Sequence, residues 1–186
     1  MTKLEDCKYR YGLTGTFALM IGFAIGLPPL WNIESGKSGV GIFGLMDQGS
    51  NNGRGIIPAP PTAWTRIYAG WEEPIDISFN ANIDLPSRNK NNIAKVNIND
   101  SEYFLIENRD NSIIEDISID SLQYIMWKDS GEDSITPFIN ILFDSSGLKF
   151  DSNNIVISVT NYDIGLPKSG ILIWHIDEQI INNGLN

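Results

Sequence analysis

The sequence predicts an α+β chain: two short helices followed by an antiparallel β-sheet or sandwich. Two observations predict it. Up to Pro74, apolar runs are punctuated by Gly and Pro, as in short helices joined by tight loops. Beyond Pro74, short runs rich in Ile, Val, Phe and Tyr alternate with Asn, Asp, Ser and Gly, the texture of strands and turns. The change divides the chain into segments 1–74 and 75–186.

The first helix is expected over 16–25. Thr14 or Thr16 is placed to cap its start, Gly26 suits the position just past its end, and Pro28 prevents continuation. Phe17, Leu19, Met20, Ile21, Phe23 and Ile25 make it apolar all round, which predicts a central, buried helix or one in lipid. The uncharged stretch 11–33 is long enough for a signal core or a span, but Gly26, Pro28 and Pro29 break it early. A membrane is therefore not the expected partner.

The loop 35–55 holds seven glycines. Gly36-Lys37-Ser38 lacks the spaced glycine of a phosphate-binding loop, so close backbone packing under a cleft is the reading. A second helix is expected over 61–69, with Pro61 in its first turn and Gly70 at its end. Its Trp64, Ile67 and Tyr68 share one face. Strands are expected at 75–79, 93–98, 102–108, 123–127, 155–160 and 170–176, with exposed turns at 128–133 and 144–154.

Thirteen basic against 23 acidic residues give a formal charge of −10, which argues against nucleic acid as a partner. Cys7 alone permits no internal disulfide and no Cys-rich zinc site. His175 is the only histidine, so a site needing two cannot form within one chain. The run Lys128-Asp129-Ser130-Gly131-Glu132-Asp133 departs from the calcium-loop frame and reads as a solvated turn; calcium through other loops stays open.

Several blocks carry a resemblance. They are Gly15-Thr16-Phe17-Ala18 with Gly22, Ala24 and Gly26-Leu27-Pro28; Gly44-Leu45-Met46-Asp47; Pro60-Pro61-Thr62-Ala63-Trp64; and Gly70-Trp71. Downstream come Tyr103-Phe104-Leu105-Ile106-Glu107-Asn108-Arg109, Gly165-Leu166-Pro167 and Ser169-Gly170-Ile171-Leu172-Ile173-Trp174-His175-Ile176-Asp177. In this order they resemble the zinc metallopeptidases of the immune inhibitor A type. The resemblance implies that 1–74 is the C-terminal, helical part of a metallopeptidase-like domain and 75–186 a truncated β-rich domain. It also implies a fragment or reduced relative of an extracellular or cell-surface protein.

In that family the first helix carries H-E-x-x-H. Two histidines one turn apart bind Zn²⁺, and the Glu activates the metal-bound water. Here the ligand positions fall on Leu19 and Phe23, the general-base position on Met20, and the third-ligand position on Asn32. Leu and Phe offer no donor atom, and Met offers a soft thioether unsuited to Zn²⁺. Without the metal, water stays near a pKa of ~15.7 instead of ~7, and the nucleophile is lost. Burying three apolar side chains in its place predicts roughly 5–9 kcal/mol of gross core stabilisation.

The resemblance thus implies a pseudoprotease that needs no cofactor and acts as a peptide- or protein-binding or structural module. A fragment of an active metallopeptidase is the competing expectation, and a hydrolase using Asp47, Glu34, Glu107 or His175 a further one. Met46 resembles the methionine beneath the metal in the family, with an apolar filler in a tight turn as the plainer reading. Gly44, Met46, Asp47 and His175 are the candidate cleft residues. On a strand, His175 shares a face with Ile171, Ile173 and Asp177, and the expectation is a structural histidine held by a carboxylate or carbonyl. Glu107 and Arg109 share a strand face and read as members of an ordinary cross-strand ion pair.

Overall fold

The computed structural model describes residues 12–55, 57–78, 80–87, 91–114, 117–118, 148–150, 152, 156–159 and 161–185. The expected strand at 123–127 and turn at 128–133 lie outside them. The described residues are mixed α+β. Four helices are α1 (Thr14–Ala24), α2 (Asn52–Gly55), α3 (Ala63–Tyr68) and α4 (Glu178–Leu185). Strands β1 (Ile75–Asp76), β2 (Ile93–Asn97), β3 (Glu102–Arg109) and β8 (Gly170–Asp177) form one sheet in the order β1-β2-β3-β8. Two antiparallel ribbons pair β4 (Ser112–Ile114) with β5 (Ile117–Ser118), and β6 (Leu148–Phe150) with β7 (Val156–Val159).

The sheet is antiparallel between β2, β3 and β8, whereas β1 runs parallel to β2, a departure from the all-antiparallel expectation. Strand β6 falls inside the stretch 144–154 expected as an exposed turn. Its three residues Leu148-Lys149-Phe150 are too short a run to stand out from the surrounding Asp, Ser and Asn. Helix α4 was not expected. Asp177 starts it, its Oδ1 accepting from the N–H of Gln179 at 2.9 Å and Ile180 at 3.2 Å.

Burial along β3 alternates strictly. Tyr103, Leu105, Glu107 and Arg109 face inward, and Glu102, Phe104, Ile106 and Asn108 face the other way. Cross-strand pairing sets Ile93 and Leu172 beside Glu107. The main core lies on this inner face. Ala63 and Trp64 of α3 pack with Ile93, Tyr103, Leu105 and Ile176, and Ile181 of α4 packs against them. The phenol of Tyr103 donates to Glu178 at the start of α4, which also accepts from Trp64 Nε1 at 3.4 Å. Burial first, and then Glu178, hold that phenol well above its ordinary pKa.

Both predicted glycine stops operate. Gly26 follows α1 at φ +90°, its N–H reaching the Phe23 carbonyl while Leu27 reaches that of Gly22. Gly70 does the same for α3 at φ +69°, with Trp71 bonded to Arg66. The predicted starts differ. Helix α1 begins at Thr14 with Leu13 as its cap and no side-chain bond, so neither Thr14 nor Thr16 caps it. Helix α3 is capped by Thr62, whose Oγ1 accepts from Thr65 N, so Pro61 precedes the helix instead of sitting in its first turn.

The largest correction concerns where α1 lies. It is not central: Phe17, Met20, Ile21 and Ile25 are 55–63% exposed, and Gly15 and Gly22 are its buried residues. Those two glycines lie seven apart, two helical turns, on one face. A Cβ at Gly15 would sit 1.7 Å from the carbonyl oxygen of Ser50, and one at Gly22 2.6 Å from Met46 Sδ. The helix is seated by its bare backbone, and most of its large side chains point away. With 11 residues it does not span a bilayer, and no helix among the described residues is long and apolar enough to do so.

Candidate functional site: the Met46–Asp47 corner and the Glu107 network

Met46 is fully buried and forms a small core with Leu27 and Leu45. Ala18, Leu19 and Phe23 of α1 pack against that core, and the Phe23 ring meets Trp31 edge-on at 5.8 Å. Three of the sequence-predicted positions therefore come together here: Leu19, Phe23 and Met46. Met20 does not join them. It is 55% exposed, so the three-side-chain stabilisation expected from sequence is reduced to the half-buried Leu19 and Phe23. Asn32 is exposed, and its Oδ1 accepts from Glu34 N, Ser35 N and Ser35 Oγ within its own turn. These four positions do not fit a zinc ion, because two are hydrocarbon, one is a thioether turned to solvent, and the fourth spends its oxygen on local backbone.

Asp47 organises the loop ahead of it. Its Oδ2 accepts from Ser38 Oγ at 2.8 Å and from the N–H groups of Gly39, Val40 and Gly41 at 2.9, 2.9 and 2.8 Å. Its Oδ1 accepts from Gln48 N at 2.8 Å. Burial pushes this carboxyl upward, but the bonds from Ser38 and the three N–H groups outweigh it and hold the group below its ordinary value. The carboxylate fills an anion-binding turn made by its own chain, and this engagement leaves it ill-suited to act as a base. Gly44 accepts from Asp47 N at 3.2 Å and packs so closely on Thr62 that a Cβ would lie 2.6 Å from its methyl. Close packing therefore holds at Gly39, Gly44, Gly49 and Gly55, whereas Gly36 faces open space. Glu34, another sequence candidate, is exposed beside Asn32.

His175 belongs to a different surface. It projects from the outer face of β8, 3.2 Å from Glu102 Oε1 and 5.1 Å from the Phe104 ring centre. A carboxylate lies beside it, on an exposed face.

The strongest electrostatic feature lies on the inner face of the sheet. Glu107 is 2% exposed. Its Oε2 accepts from Arg66 Nη2 at 2.8 Å, and its Oε1 from Trp174 Nε1 at 2.9 Å and Arg109 Nη1 at 3.3 Å. Arg109 reaches on to Asp163, with Nε bonded at 2.9 Å; Nη2 lies 2.7 Å from the same oxygen without hydrogen-bond alignment, a purely coulombic contact. Arg66 also bonds Glu72 and the Pro61 carbonyl. Burial would raise the Glu107 pKa, but Arg109 and Arg66 reverse that and hold it low. Burial would likewise lower Arg109, and Glu107 and Asp163 hold it high. The group is a buried network, not the ordinary cross-strand pair expected, since the residues across from Glu107 are apolar.

Around it, Asn161 Nδ2 donates to the carbonyls of Asp110 and Ser112, and Asn111 Nδ2 to that of Leu166. These bonds tie the end of β3 to the turn before β8. Arg66, Glu72, Asp163 and Trp174 were not singled out from sequence. A signal existed for their partners: Glu107 and Arg109 continue the same alternating face as Tyr103 and Leu105, where a charge demands a buried counter-charge. Among the described residues no three His, Cys, Asp or Glu side chains group as metal ligands would. Each acid of the two clusters is engaged by cations, a hydroxyl or N–H groups, and the arrangement holds structure together. Comparison with known proteins returns no matching family model, no matching curated protein and no matching solved structure.

Proposed function

We propose that the chain is a non-catalytic relative of a secreted zinc metallopeptidase and works as a peptide- or protein-binding module. One observation carries the reading: Leu19 and Phe23, at the resembled ligand positions, pack on the buried Met46 as part of an apolar core. The resembled scaffold of helix over methionine turn supports kinship with that family, and hydrocarbon in place of its donors supports loss of the chemistry. On this reading the segment beyond Pro74 is the family's β-rich domain with a sandwich architecture, and the protein acts outside the cell or at its surface.

The test is elemental analysis of purified protein together with a casein-cleavage assay. The expected result is no stoichiometric zinc and no cleavage. Stoichiometric zinc with chelator-sensitive proteolysis overturns the proposal and favours an active fragment.

A further inference from the structure

We infer that the outer edge of β8 accepts an extended peptide as an added strand, an inference that rests on the reading of the chain as a binding module and names its occupant. Strand β8 pairs with β3 without a break over eight positions, from Gly170 opposite Arg109 to Asp177 opposite Glu102. Half of its N–H and C=O groups therefore face β3 and the other half face away. It is the last strand of its sheet, and among the described residues no strand occupies its far side.

Edge strands are ordinarily protected by shortness, a bulge, a proline or a lysine. The opposite edge is protected in this way, since β1 has two residues. Strand β8 has eight residues, an unshifted register, and neither Pro, Lys nor Arg. Its flanks are apolar on both faces. Ile171 and Ile173 project outward, 55% and 63% exposed, and Leu172 and Trp174 are half-buried on the inner side. A strand laid along this edge satisfies the backbone groups and sets alternate side chains on hydrocarbon.

Charge selects the occupant. At the C-terminal end of the edge Asp177 lies directly opposite Glu102 of β3, with Glu178 next in sequence. Among the described residues the nearby basic groups are His175, 3.2 Å from Glu102, and Lys95, over the Tyr103 ring that bonds Glu178, so acids outnumber them. A second copy of the chain brings the same acidic end and a formal charge of −10. An apolar-alternating peptide with a terminal lysine or arginine complements the edge instead.

The experiment uses the full chain and a fluorescein-labelled synthetic peptide: alternating Val and Thr over one strand length, preceded by two lysines. Anisotropy should show saturable binding. Ile173→Lys, at an exposed position that leaves the urea midpoint unchanged, should weaken it at least about tenfold. Ile33→Lys, in an exposed loop, should leave it intact. N-methylating the peptide at one set of alternate residues should abolish binding while the other set is tolerated, because only one peptide edge meets β8. Absence of saturable binding, or equal effects of the two methylated sets, overturns the proposal. So does a dimer in the peptide-free protein that Ile173→Lys dissociates, which makes a second copy the occupant. Mass spectrometry of the probe separates the two readings: an intact, unbound probe overturns the edge proposal alone, and a cleaved probe overturns the non-catalytic reading alone.

Discussion

Removing the Asp47 carboxylate should unfasten the loop it organises. Five donors converge on it, four of them on Oδ2. A hydrogen bond to a charged group contributes about 1.5–3 kcal/mol when buried. Ser38 and Gly39 are exposed, so water replaces the acceptor for part of the set. The discounted expectation is a loss of about 2–4 kcal/mol for Asp47→Ala and about half of that for Asp47→Asn, which retains one oxygen acceptor. Urea unfolding followed by tryptophan fluorescence at pH 7 measures both. The pH dependence carries a second check. The folded carboxyl titrates below its unfolded value, so its contribution is complete above ~3.9 and is lost as pH falls through the lower, folded value. The gap between wild type and Asp47→Asn should therefore be constant from neutrality down to about pH 5 and close in more acid solution. A deficit below about 0.5 kcal/mol at pH 7, or one that persists unchanged into acid, would refute the assignment.

Other perturbations follow from the same geometry. Glu107→Gln leaves Arg66 and Arg109 facing a neutral amide in a buried site, and chemical denaturation should register a loss of about 3–5 kcal/mol. Trp174→Phe removes one donor to Glu107 while keeping an aromatic ring, so the same assay should give a smaller loss, about 1–3 kcal/mol. Gly22→Ala drives a methyl against the Met46 sulfur at a cost of about 1–3 kcal/mol. Met46→Ala alone opens a cavity, about 2–5 kcal/mol. The double variant should lose less than the sum, because the new methyl enters the vacated space; additive thermal shifts would contradict that packing.

Much of the sheet was readable in the sequence, because β2, β3 and β8 are runs rich in Ile, Val, Phe, Tyr and Trp set between Asn, Asp, Ser and Gly, although which face each residue buries was not written in an apolar alternation. The helix stops at Gly26 and Gly70 were readable for a local reason, the positive φ that follows a helix. What escaped was non-local. Arg66 and Asp163 are 41 and 54 residues from the partners that bury them, and no spacing rule connects them. The placement of α1 escaped for a different cause. Its hydrophobic residues carry no preferred side, so composition predicted burial, while the contact face was written in Gly15, Ala18 and Gly22. Met46 and Asp47 were singled out together, and the structure gives them unlike tasks, one filling space beneath a helix and the other neutralising a turn.

The seat of α1 has a consequence for how this protein tolerates change. A deep mutational scan across 14–24 should produce a comb: the sharpest intolerance at Gly15 and Gly22, a lesser one at the packed Ala18, Leu19 and Phe23, and between them positions that accept polar replacements such as Met20→Gln or Ile21→Lys. Drift along such a helix rewrites the surface offered to the outside while the joint beneath it stays the same.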